Sequence, residues 1–177
     1  MTLFVALDNV GLIFLARQSL RAGAAGYGVL LSAYGVGMIV GPLLVLRLLR
    51  RLGAGRVYWM GVAIMGLATL ACGLAPTLAV AALGEFVVGV GNGAESIGYD
   101  TLLQRAAPSA MLGRVLGAAY SAPYVALLIT YSLGGLLLQV TSPRIVFTLA
   151  GAGTFATALL LCCLLYTSPS PRDRQKS

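Results

Sequence analysis

Three stretches of this chain, 26–46, 57–74 and 145–162, contain no charged side chain, and a fourth, 113–139, holds only Arg114 near its start. Each is close to the length of about 20 residues that a helix needs to cross the hydrocarbon core of a bilayer. Serial apolar runs joined by short turns leave little room for any fold but a bundle of membrane helices. The composition agrees. Charged residues make up 10% of the chain, against roughly 25% in soluble domains, and the mean hydropathy is +0.92. The expected fold is therefore all-α and polytopic, with six transmembrane helices at about 1–16, 26–46, 57–74, 77–103, 113–139 and 145–162.

Several function classes fall away at once. The net charge of +7 comes largely from arginines in the loops between apolar runs, which is orientation information and not a nucleic-acid footprint. The chain has no histidine, so a zinc site or an imidazole base is not expected. Cys72, Cys162 and Cys163 lie in or beside apolar helices, without metal or disulfide spacing. The run Gly89-Val90-Gly91-Asn92-Gly93 is not a dinucleotide fingerprint, because no strand precedes it; close helix packing accounts for such glycines. No cofactor, no metal and no enzymatic activity are expected. The first run, 1–16, lacks the basic region and cleavage site of a signal peptide. It reads as a span that starts abruptly or whose beginning lies outside this sequence.

The chemistry is concentrated between Gly84 and Gly117. Acids within an apolar helix are expensive in lipid and usually face a cavity or a partner. Glu85 and Asn92 are seven residues apart, which places them on one helical face within about 20°. Glu95 borders that face. At about 1.5 Å rise per residue, Glu85 and Glu95 stand about 15 Å apart along the axis. That is too far for a catalytic carboxylate pair, but it suits successive stations on a proton or cation path. Asp8 and Asn9, in the first span, are possible partners. The alternative for all these acids is local bonding to hydroxyl or backbone groups in the protonated state. Tyr120 and Tyr124 share a face of the fifth span, for core packing or for stacking on a substrate. Asp100 is expected to pair with loop arginines, Arg105 among them.

Arginine counts set the orientation. The loops after the second and fourth spans carry Arg47, Arg50, Arg51, Arg56, Arg105 and Arg114, whereas the opposite loops carry Arg17, Arg21 and Arg144. The first group is expected in the cytoplasm, which puts both ends of the chain there. Arg47, Arg51 and Arg56 belong to the loop 47–56. It reads as a topology anchor, or as a latch that pairs with acids at neighbouring helix ends. Tyr58 and Trp59 suit an aromatic belt at headgroup level. The last stretch, 163–177, departs in style from the rest. It resembles the translation of a sequencing adapter, and it is read as a non-native disordered tail, with a genuine disordered tail as the alternative.

Three pieces together resemble the C-terminal half of a major facilitator superfamily transporter. The first is YGVLLSAYGVGMIVGPLL. The second is RLLRRLGAGRV, a degenerate copy of the family's G-x-L-a-D-R-x-G-R-R loop in which Gly41, Leu43, Arg51, Gly53 and Arg56 fit loosely and the aspartate is absent. The third is TLLQRAAPSAMLGRVLG followed by LGGLLLQ, similar to the enterobactin-exporter and drug-exporter branch. The resemblance implies helices seven to twelve of a twelve-helix protein. The first and fourth spans would line the cavity, the second and fifth would pack against the other half, and the third and sixth would face lipid. It also implies proton-coupled efflux of a small molecule across the bacterial inner membrane, in concert with an N-terminal six-helix half. A non-transporting scaffold or a permease subunit of another transporter class is the alternative.

Overall fold

The computed structural model of the protein describes residues 2–108 and 111–167. Its helices are α1 (Thr2–Phe14), α2 (Gly23–Leu52), α3 (Ala54–Gly73), α4 (Leu78–Ala106), α5 (Leu112–Val140) and α6 (Pro143–Thr167). Helices α2 to α6 are each long and apolar enough to cross a membrane. The shorter α1 runs on into a π-helical turn, Leu15–Ser19, in which Leu20 N donates to the Leu15 carbonyl at 2.9 Å.

Several boundaries differ from the expected ones. The segment 47–56 is not a loop. Helix α2 continues through Leu52, because arginine and leucine are good helix formers and nothing breaks the run before Gly53. Gly53 then turns the chain with φ 80 and ψ 160, which a residue without Cβ adopts readily, and α3 begins at the next residue. Helix α6 extends to Thr167, five residues beyond the expected end of its span, because Cys163 to Tyr166 continue the apolar run. The remainder of the expected tail, 168–177, lies outside the described residues. At the other side of the bundle, Thr77 caps α4 by accepting from Val80 N at 3.4 Å. Arg144 Nη2 donates to the Ala75 carbonyl at 3.1 Å and ties the start of α6 to the α3–α4 turn.

Helix α4 packs between α2 and α3. On the far side of α3 lies α6, followed by α1 and then α5, which touches chiefly α1. Glycines set the central contacts. A Cβ on Gly89 would collide with the Tyr34 carbonyl of α2, and one on Gly91 would sit 2.9 Å from the Gly61 carbonyl of α3. The two glycines thus let α4 approach α2 on one side and α3 on the other, at backbone-to-backbone distance. Gly93 extends the first contact by receiving the ring of Pro42, whose Cδ would lie 2.5 Å from an added Cβ.

Helix α3 buries one face against its neighbours and leaves Leu67, with Leu74 just past its end, exposed on the other. Val57, Gly61, Val62, Met65, Gly66 and Cys72 are all buried, because α3 is clasped between α4 and α6. Helix α6 also turns one side inward, burying Val146, Phe147, Ala150 and Ala158 and leaving Leu149, Leu159 and Leu160 exposed.

Candidate functional site: an acid-bearing cavity and a deeper carboxyl pair

On α4, Asn92, Glu95 and Ser96, then Tyr99 and Asp100, recur at steps of three to four residues. They therefore share one helical face. That face opens on a cavity of about 400 Å³, completed by Val5 of α1, Tyr58 of α3, and Tyr120 and Pro123 of α5. Tyr58, Tyr99 and Tyr120 form a chain of rings. Centroids are 6.1 Å apart with a 36° tilt in the first pair, and 6.5 Å apart with a 68° edge-on arrangement in the second. Both geometries suit the aromatic quadrupole. The Tyr120 hydroxyl donates to Asp100 Oδ1 and joins α5 to α4.

Two expectations change here. The partner of Asp100 is Tyr120 and not Arg105. Five residues of helix turn Arg105 about 140° away from Asp100, and its side chain is exposed. Tyr58 turns inward to the cavity instead of joining an aromatic belt, because the close packing of α3 on α4 directs that face into the bundle. Trp59 beside it is half-buried, and its indole nitrogen has no hydrogen-bond partner among the described residues.

A second polar group lies deeper. Glu85 is on the same face of α4 as Asn92, about 10 Å further along the axis. It is only 1% exposed, and Asp8 of α1 is 8% exposed. One carboxyl oxygen of each is buried without a hydrogen-bond partner. The two acids lie within each other's field, with the Cys72 thiol of α3 beside them; that thiol donates to the Ala81 carbonyl at 3.6 Å. Tyr34 of α2 lies within the field of Asp8, Glu85 and Glu95 alike. The acids read from the sequence therefore form two sets: Asp8 with Glu85, and Glu95 with Asp100.

Other expected site residues stand apart. Asn9 is exposed and donates to the Val5 carbonyl of its own helix at 3.3 Å. Tyr124 is 71% exposed, one turn beyond the ring chain and outside the cavity lining. Arg56, Arg105 and Arg114 are exposed at helix ends, whereas Arg47 and Arg51 line a separate crevice with Arg50 and Leu46. Sequence reasoning missed Ser96, Tyr99 and Tyr58. The first two were open to detection, since they continue the spacing from Asn92 and Glu95 along one helical stripe. Tyr58 reaches the cavity only through the α3–α4 contact, which leaves no local signature.

No group of three or more histidine, cysteine or acidic side chains able to hold a metal occurs among the described residues. A bundle of long apolar helices around a cavity that bears ionisable groups is the architecture of a membrane transporter. The chain belongs to the major facilitator superfamily, whose sequence profile matches residues 1–177. It is 32% identical over 139 residues to a protein of Mycobacterium tuberculosis described as a probable multidrug-efflux transporter, covering 78% of this chain and 29% of that protein. It is 29% identical over 162 residues to the multidrug resistance protein Stp of the same organism, covering 90% of this chain and 30% of Stp. The chain thus spans about three tenths of the length of these relatives.

Proposed function

We propose that this chain is the C-terminal half of a proton-coupled efflux transporter of the bacterial inner membrane, and that its substrate is a cationic small molecule. The observation that carries this reading is the cavity lining: two carboxylates and three tyrosine rings, with no cationic side chain among the described lining residues. Carboxylates attract a cation from water, and aromatic faces hold it once it is desolvated. The apolar patches of Val5 and Pro123 accept the remainder of an amphiphile.

The deeper pair supports coupling to protons. Two buried carboxyls within each other's field are costly to ionise together, which makes Asp8 and Glu85 the candidates for loading and releasing the coupling proton. Tyr34 lies within the field of both acid sets, which supports a link between loading a cation at Glu95 and releasing a proton at Glu85. The names of the M. tuberculosis relatives support efflux as the direction. An N-terminal half in the full-length parent would cover the outward apolar face of α5, where Tyr124, Val125, Leu128 and Ile129 are exposed.

The test is transport by the full-length parent in proteoliposomes under an imposed pH gradient, with ethidium as a cationic probe and a neutral analogue of similar size as control. Gradient-driven transport of the cation, lost in Glu95→Gln and in Glu85→Gln, is the expected result. Transport of both probes with equal efficiency would discard the cationic-substrate reading, and coupling that survives Asp8→Asn/Glu85→Gln would discard the proton site.

A further inference from the structure

Helices α2 and α4 run parallel and in contact, since the backbone of Tyr34 lies against Gly89 and the ring of Pro42 against Gly93. Gly89 stands four residues from Glu85 and six from Glu95, about 6 Å and about 9 Å along the axis. Tyr34 therefore meets α4 between the two acid sets. Helical side chains lean toward the N-terminal end of their helix, which carries the ring of Tyr34 toward the level of Glu85. The residue is half-buried, and its phenol lies within the field of Asp8, Glu85 and Glu95.

The deeper pair lacks a donor. Asp8 Oδ1 and Glu85 Oε1 are buried without a hydrogen-bond partner among the described residues. At 8% and 1% exposure the two side chains are enclosed by helices of this chain, so a second six-helix half does not reach them. A buried carboxylate needs hydrogen bonds to carry its charge. From α3 the Cys72 thiol bears on the pair, but it donates to the Ala81 carbonyl. On α4, Glu95 contributes only like charge. Helix α6 carries Arg144, which is engaged at the Ala75 carbonyl. Helix α5 sets Gly134 against Leu7 and Val10, and Tyr131, one turn away, is exposed. The donor that remains is the Tyr34 hydroxyl.

We propose that Tyr34 is the positioning residue that links the two acid sets: its hydroxyl donates to the Asp8–Glu85 pair when that pair gives up a proton, and does so most readily once a cation occupies Glu95. The inference rests on the proton-coupled reading above. A phenol keeps its own proton at neutral pH, so Tyr34 shifts the balance without carrying the proton itself. A hydrogen bond to the charged form of a carboxyl favours that form, and such charge-assisted bonds are stronger than neutral ones. A cation at Glu95 cancels one of the negative fields that compete for the hydroxyl and leaves it to the deeper pair. One proton then departs to water as one positive charge arrives, and the net charge of the site is unchanged.

The experiment is the pH dependence of ethidium binding to the full-length parent in detergent. By linkage, the slope of log Kd against pH counts the protons released per cation bound, and the wild type is expected to release about one. Tyr34→Phe removes only the oxygen. It is expected to keep the affinity within about threefold and to release about half a proton or less. Tyr34→Leu is expected to match it, and Glu85→Gln to give a flat line. A full slope in Tyr34→Phe would overturn the inference and leave the proton-coupled reading standing. A full slope in Tyr34→Phe with a flat one in Tyr34→Leu would assign the ring to packing and overturn the inference equally. A flat line in the wild type would remove the proton-coupled reading, and the inference with it.

Discussion

At the scale of single residues, position within α4 separates acids that look alike in sequence. Glu85 and Glu95 are both carboxylates in one apolar helix, yet one is sealed against Cys72 and Asp8 whereas the other borders an open cavity with three tyrosines. Their neutral amides should therefore fail differently. Glu95→Gln is expected to weaken binding of a cationic substrate by about tenfold or more, since it removes a partly desolvated charge partner; equilibrium binding of ethidium to the full-length parent measures this. Glu85→Gln is expected to leave that binding within about threefold of wild type while abolishing its response to the pH gradient. The helical period of α4 makes one half of this site legible in the sequence, since Asn92, Glu95 and Asp100 are polar letters in an apolar run. The grouping of the acids is not legible. Asp8 meets Glu85 across a chain separation of dozens of residues, and only tertiary packing brings Tyr58 and Tyr120 to the same cavity.

At the scale of elements, hydropathy reveals the helices well and their ends poorly. Polar arginines suggest that α2 stops near Leu46, but a helix stops where its backbone is broken, and here that is Gly53. Gly53→Ala is expected to destabilise the α2–α3 junction by about 1–2 kcal/mol, because an L-residue at φ 80 places its Cβ against the backbone. Thermal unfolding in detergent measures the loss, and no change would mean that the junction re-forms with another geometry. Gly91 makes a different demand. It is helical, and it is small because the Gly61 carbonyl and Met65 lie against it. Gly91→Leu is expected to cost about 1–3 kcal/mol or more from overpacking and to separate α3 from α4, whereas the same change at Gly113, where nothing lies within 4 Å, is expected to be neutral. The Gly89–Gly93 run is thus visible in the sequence as a packing signal, but which glycine serves which neighbour is fixed only by the phase of the helix.

At the scale of the whole molecule, the arginine bias leads us to expect the α2–α3 junction in the cytoplasm and the α3–α4 turn on the opposite side. On a background with Cys72, Cys162 and Cys163 replaced by alanine, Arg56→Cys is expected to react with an impermeant maleimide only from the cytoplasmic face, and Thr77→Cys only from outside. Both sites are exposed, and the reverse pattern would invert the topology. The double glycine contact of α4 has a mechanical consequence. Helices joined backbone to backbone have no compliant side chains between them, so α2, α4 and α3 form a stiff keel that can only tilt as one body. Helix α5, which leans chiefly on α1 and meets α4 at the Tyr120–Asp100 hydrogen bond, is the plank free to flex against it. Amide exchange is expected to be slowest along α4 and fastest along α5. Breaking the Tyr120–Asp100 link with Tyr120→Phe is expected to quicken α5 and leave the keel as rigid as before.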